Sequence, residues 1–147
     1  MINILVINGP NLNLLGFRDP AQYGTVTLKE ISAQLCAIAQ NCDCHLVFYQ
    51  SNHEGKIIDF LQKESSRRAC GILINPGALT HYGYSLRDAL ADMELPIVEV
   101  HLSDISRRED FRKIDVLEGI SNHVVMGHKD KSYYLGLKKL IERIKKL

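Results

Sequence analysis

The sequence predicts an α/β domain in three layers, a doubly wound five-stranded parallel sheet between two sets of helices. Three observations carry that expectation. Five short runs rich in β-branched and aliphatic residues recur along the chain, each with the length of a buried strand. Between them lie stretches with apolar residues at helical spacing, and such alternation calls for right-handed crossovers joining parallel strands. The length of 147 residues suits one core of this kind and leaves too little chain for a second, so residues 1–147 are read as a single domain.

The strands are expected at Ile2–Ile7, Leu46–Tyr49, Gly71–Ile74, Pro96–Leu102 and His123–Met126. Leu28, Ile31, Leu35 and Ile38 mark a helix running from Leu28 to about Gln40. Thr27, with Glu30 three residues later, has the pattern of a capping box at its start. Ile57, Ile58 and Leu61 mark a second helix, and Leu86 and Leu90 a third. Leu137, Leu140, Ile141 and Ile144 form the apolar stripe of the last, whose wet side carries Lys138, Lys139, Arg143, Lys145 and Lys146. Five strands in a chain of this size point to the flavodoxin-like strand order. Sites in such sheets lie beyond the carboxyl ends of the strands. That directs attention to Asn8–Tyr23, Gln50–Gly55, Asn75–Ser85, Glu99–Arg112 and the stretch after Gly127. The connection from Gly9 to Val26 is too long for an ordinary βα loop, and such loops are commonly functional.

Composition narrows the function classes. The 18 basic and 17 acidic side chains nearly cancel, which argues against a nucleic-acid or membrane-surface binder. No run reaches the length of a membrane span, and the opening residues lack the pattern of a secretory leader. The four cysteines, Cys36, Cys42, Cys44 and Cys70, have neither metal-site nor convincing disulfide spacing. Cys36 and Cys70 read as small core residues, and a reducing, cytoplasmic setting is expected.

The first strand-end loop reads Asn8-Gly9-Pro10-Asn11-Leu12-Asn13-Leu14-Leu15-Gly16-Phe17-Arg18 and closes at Gln22-Tyr23-Gly24. It matches neither a P-loop nor a dinucleotide fingerprint. It offers amides, one cation and one tyrosine, each of which has an ordinary explanation in turns or surface packing. Asn75-Pro76-Gly77-Ala78-Leu79-Thr80-His81 ends the third strand ahead of a helix, a setting suited to an anion, although His81 alone reads as a turn residue. On the fourth strand, alternation puts Glu99 and His101 on one side, so the carboxylate can orient the imidazole and favour its charged form. Neither face of a buried parallel strand welcomes that histidine. Arg107, Arg108 and Arg112 follow with guanidinium groups for hydroxyls or a carboxylate, with Arg107 the most ordinary as a solvated charge.

Taken together, these segments resemble type II 3-dehydroquinate dehydratase, the type II dehydroquinases. The matching stretches are Asn8–Arg18 with Tyr23-Gly24, Gln50–Gly55, Ile74–His81, Leu86–Leu90, and Glu99–Ser103 with Arg108 and Phe111-Arg112, in order over nearly the whole chain. The resemblance implies a hydro-lyase that converts 3-dehydroquinate to 3-dehydroshikimate by anti elimination through an enolate, with no cofactor and no metal. It implies that Tyr23 is the base, as tyrosinate. A free tyrosine has a pKa of about 10, and reaching ~7 takes roughly 4 kcal/mol of preferential anion stabilisation. Arg18 is the expected source, with Arg112 adding to it across the cleft. His101 corresponds to the acid that protonates the departing hydroxyl, its pKa expected to be raised by Glu99. Asn11 corresponds to a residue that stabilises the enolate through a water. Asn75, with the backbone at Leu102 and Ser103, corresponds to the substrate-carboxylate site, and His81 and Arg112 to residues holding ring hydroxyls. Asp88 corresponds to a residue that reaches a neighbouring subunit's site, so a homododecamer of four trimers is implied. The first loop is then expected to act as a lid, hinged at Gly16 and Gly24.

Some positions depart from the family pattern. Gly83, Tyr84 and Ser85 stand where Ser, an aliphatic residue and Ala are common, Asp104 replaces a frequent Asn, and Asp115 a frequent Ser. A Gly-rich stretch before a tyrosine is eroded to Lys129-Asp130-Lys131-Ser132-Tyr133. Two other readings stand beside the dehydratase: a catalytically silent relative that binds a cyclic polyol acid, and a receiver-like signalling domain. The second lacks an acidic cluster at the first strand end, where Asn8 and Asn11 stand instead. The reaction also serves either aromatic biosynthesis or quinate breakdown.

Overall fold

The computed structural model describes residues 1–147. Five strands, β1 (Ile2–Asn8), β2 (Cys44–Gln50), β3 (Gly71–Asn75), β4 (Ile97–His101) and β5 (His123–Met126), form one sheet in the order β2-β1-β3-β4-β5. Every pairing is parallel. This is the flavodoxin-like order expected from the sequence. Strands buried on both faces need no alternation, which is why Ile4–Ile7, Ile72–Ile74 and Ile97–Val98 read as continuous apolar runs.

Helices α1 (Pro20–Tyr23), α2 (Leu28–Gln40), α3 (Glu54–Leu61), α4 (Glu64–Arg67), α5 (Tyr84–Asp92) and α6 (Lys131–Lys145) complete the layers. One core lies under α2 and α6, where Ile31, Leu35, Leu137, Leu140 and Ile141 meet Ile4, Val6, Leu73, Val98 and Val100. The other lies under α3 and α5, where Ile57, Leu61, Leu86 and Leu90 meet Leu5, Ile7, Ile72 and Ile74. Each fully buried aliphatic side chain contributes roughly 1.5–3 kcal/mol. α6 lies so close to β4 that a Cβ on Gly136 would stand 2.5 Å from Val100 Cγ1, so only glycine fits there.

Thr27 caps α2 as expected: its hydroxyl accepts from Glu30 N at 3.2 Å and donates to Glu30 Oε1 at 3.1 Å. The expected core role of Cys36 is corrected. It lies on the exposed face of α2, one position after Leu35, which takes the buried stripe, and Cys70 is only half-buried. All four cysteines are free. No helix is long and apolar enough to cross a membrane. The long connection after β1 is ordered by a 3-10 turn over Leu12–Leu14 and by α1, whose start is capped by Asp19 accepting from Ala21 N at 3.0 Å.

Candidate active site

The strand order reverses between β1 and β3, and a crevice opens where their carboxyl ends part. Asn8 and Asn75 are paired there in register, both buried. Tyr133, from the first turn of α6, reaches between them: its hydroxyl donates to Asn8 Oδ1 at 2.5 Å and accepts from Asn75 Nδ2 at 3.0 Å. Burial pushes the Tyr133 phenol far above the ordinary tyrosine range, which keeps it a neutral donor. Asn75 Oδ1 accepts from Gly77 N at 3.1 Å, leaving one N–H of its amide for a ligand. The two loops also touch backbone to backbone. A Cβ on Gly9 would sit 2.2 Å from the Pro76 carbonyl oxygen, and Gly77 adopts φ +60 facing Pro10.

Above this floor lies a cleft lined by Asn11, Arg18, Tyr23, Asn75, His81, His101, Leu102, Ser103, Arg108 and Arg112, among others. Arg18 lies over the ring of Tyr23, its guanidinium carbon 3.9 Å from the centroid. Arg108 Nη1 donates to the Tyr23 hydroxyl at 2.8 Å and to Ser103 Oγ at 3.3 Å. Asn11 takes the left-handed conformation, φ 69, and its backbone N donates to Asn52 Oδ1 at 3.0 Å. That bond ties the start of the first loop to the end of β2, where Gln50 Nε2 donates to the same oxygen at 3.3 Å.

His101 ends β4, buried, with Nε2 3.0 Å from Glu99 Oε1. The shared side of the strand is as expected, but the expected charge relationship is corrected. Desolvation dominates both groups, lowering His101 to about 4 and raising Glu99. The hydrogen bond therefore joins two groups that each resist charge, and Glu99 does not hold His101 as a cation at rest. Asp115 is the third member of this cluster. One carboxyl oxygen from each acid and one ring nitrogen all lie within 4.8 Å of one another. Burial, and then Glu99 beside it, raises Asp115 to about 7. These are donors of metal-ligand type, but the direct hydrogen bond between two of them marks a proton-sharing group.

His81 Nδ1 lies 2.7 Å from the Ile114 carbonyl oxygen, a bond that fixes its donor nitrogen and aims the ring, and Phe111 meets it edge-on at 5.8 Å. Arg112 Nε donates to Glu109 Oε2 at 2.5 Å. The expectation that Arg112 supports the tyrosine is corrected, since Glu109 already takes its charge and Arg108 makes the contact to the phenol. Of the residues expected at the site, Glu99 stands behind His101 and Asp88 lies exposed on α5, outside the cleft. Arg108 is the residue whose place at the tyrosine sequence reasoning missed, having offered it only to hydroxyls or a carboxylate. Its signal was its place after β4, in the loop where a flavodoxin-like sheet puts ligands.

A tyrosine under two arginines and a buried histidine with a carboxyl behind it, at one cleft of a doubly wound sheet, define a site for general acid–base chemistry on a small polar molecule. The comparisons with known proteins agree. The family described as dehydroquinase class II matches residues 2–141, and the chain belongs to that family. It is 49% identical over 142 residues to a 3-dehydroquinate dehydratase of Acaryochloris marina, covering 97% of this chain and 95% of that protein. It is 51% identical over 140 residues to one of Roseiflexus castenholzii, covering 95% and 88%. The crystal structure of type II dehydroquinase from Butyrivibrio crossotus superposes with a TM-score of 0.90 at 41% identity, covering 95% of this chain and 97% of that one.

Proposed function

We propose that this chain is a 3-dehydroquinate dehydratase that eliminates water from 3-dehydroquinate through an enolate, with Tyr23 as base and His101 as acid. The observation that carries the reading is the Tyr23 phenol, held by Arg108 at 2.8 Å beneath Arg18 in the cleft that His101 also lines. Tyr23 oxygen takes the proton beside the ketone, and the C–H electrons move into the enolate. The N–H groups of Arg108 and the charge of Arg18 favour the phenolate that does this, and a closed, dry cleft strengthens both. Asn11 stabilises the enolate oxygen through a water. The enolate then collapses, the C–O bond breaks, and His101 gives its proton to the departing hydroxyl, which leaves as water. Asn75, Leu102 and Ser103 receive the substrate carboxylate, and His81 and Arg112 its ring hydroxyls. No metal or organic cofactor takes part.

The loop carrying Arg18 and Tyr23 acts as the lid. Asp88 on α5 completes the site of a second copy, so the working form is a homododecamer. The pathway is aromatic amino acid biosynthesis in the cytoplasm, and quinate breakdown would use the same chemistry.

The direct test is purified protein with 3-dehydroquinate, followed by absorbance of the conjugated enone. Turnover that survives both chelators and borohydride is expected, because the chemistry needs neither a metal nor a lysine imine. Absence of product at every pH overturns the reading. Restored growth of an aromatic auxotroph lacking its own dehydroquinase supports the activity in a cell. Deletion of the gene from its own host separates the pathways: an aromatic requirement supports the biosynthetic assignment, and loss of growth on quinate alone favours the catabolic one.

A further inference from the structure

Glu99 has one oxygen that no protein donor satisfies. Its Oε1 meets His101 Nε2, but Oε2 is buried and finds no N–H or O–H. A buried acceptor without a donor is costly, and native structures rarely keep one. The carboxyl of Asp115 stands beside that of Glu99, one oxygen of each within 4.8 Å, and it can satisfy the orphan oxygen only by carrying a proton. Asp115 is held for this contact, because its Oδ1 accepts from Leu117 N at 2.9 Å. It does not line the catalytic cleft. It lines a second cleft on the outer side with Lys113, Glu118 and His123, so its protonation follows the pH of the solvent.

We propose that Asp115 is a positioning residue for His101: it donates its carboxyl proton to Glu99 Oε2, which leaves Glu99 Oε1 to hold its own proton toward His101 Nε2. The inference rests on the reading of His101 as the acid. As the ring nitrogen not bonded to Glu99 gives its proton to the leaving hydroxyl, Nε2 takes the proton from Glu99. Glu99 is left as a carboxylate between two donors, the His101 Nε2–H and the Asp115 O–H. The cluster ends one proton poorer and regains it from solvent after product leaves. Asp115 never touches substrate. The charged and titratable groups around it are Glu99 and His101 on β4, His123 on β5, and Lys113 and Glu118 on the segments flanking it.

The test compares the wild type with Asp115→Asn and Asp115→Ala. Asparagine keeps the oxygen that accepts from Leu117 N and offers an amide donor to Glu99 at every pH, so it preserves the fold and mimics the protonated acid. In the wild type, kcat is expected to fall as pH rises through about 7, where Asp115 ionises. In Asp115→Asn that limb disappears, with kcat held level. In Asp115→Ala, kcat drops about tenfold below that pH with KM little changed, the loss expected for one charge-assisted hydrogen bond. Infrared spectra of the resting protein give a readout independent of turnover: a protonated-carboxyl band that shifts with 13C-aspartate, present below about pH 7 and absent in Asp115→Asn. Coincident pH profiles for the wild type and Asp115→Asn, or no such band, overturn the proposal. The band without any turnover of 3-dehydroquinate overturns the functional reading instead.

Discussion

Arg18 and Arg108 act on different parts of Tyr23. One lies over the ring face and the other donates to the oxygen, so only Arg108 meets the atom on which the proposed mechanism develops charge. Arg108→Gln is expected to lower kcat by about 10²–10³ with a smaller change in KM, the cost of losing one preorganised donor to an anion. Tyr23→Phe, which removes the proposed base, should fall further still. Steady-state kinetics on 3-dehydroquinate check both, and a Tyr23→Phe variant with near-normal kcat overturns the choice of base. At this scale the sequence was uneven as a guide. Tyr23, Arg18 and His101 stood out through the pattern of their motifs. Arg108 did not, because three arginines within six positions look alike until Glu109 is seen to occupy one of them. Asp115 was visible only as a departure from the family pattern, since its meaning depends on which buried oxygen it faces.

At the scale of elements, the segment from Leu12 to Tyr23 is held down by few contacts. It rests on the Asn11–Asn52 bond, the buried Leu12 and Leu15, and the Tyr23–Arg108 bond, while Phe17 stands 86% exposed at its crest. Gly16 and Gly24 bracket it with φ +96 and +75, values that suit glycine. No strand of the sheet pairs with it. A single proteolytic cut between Phe17 and Tyr23 should abolish turnover while leaving circular dichroism unchanged, and retained activity after a clean cut would sink the lid assignment. Strand and helix existence was legible because the apolar periods are strong, and strand ends moved only by a residue or two. The 3-10 turns and α1 were not legible. They are too short to show a period, and they are fixed by contacts with the segments after β2 and β4, such as Asn11 to Asn52 and Tyr23 to Arg108, that no local pattern records.

For the molecule as a whole, the buried cluster leaves a mark on stability. Asp115 binds its proton more tightly folded than unfolded, so between the usual carboxylate range and about 7 its contribution falls as pH rises. His101 works in the other direction. Burial lowers it from 6.5 to about 4, so its contribution is present above 6.5 and lost as pH falls through that window. Between about 4 and 6.5 the two oppose each other. Asp115→Asn removes the falling contribution, so its Tm should climb more steeply with pH across that window than the wild type's. Calorimetry at several pH values checks this, and parallel slopes would mean that Asp115 is not protonated in the fold.

The Tyr133 hydroxyl between Asn8 and Asn75 sets an order on the birth of the enzyme. A chain emerges from the ribosome N-terminus first, and β1 and β3 can pair long before α6 has been made. Until residue 133 arrives, two amides at the floor of the cleft face each other with no hydroxyl between them. Arg18, Tyr23 and His101, the residues proposed to act on substrate, will all have been synthesised by then, yet the surface on which they converge will not have set. A chain truncated before α6 is therefore expected to be silent toward 3-dehydroquinate, and activity to appear only once α6 docks.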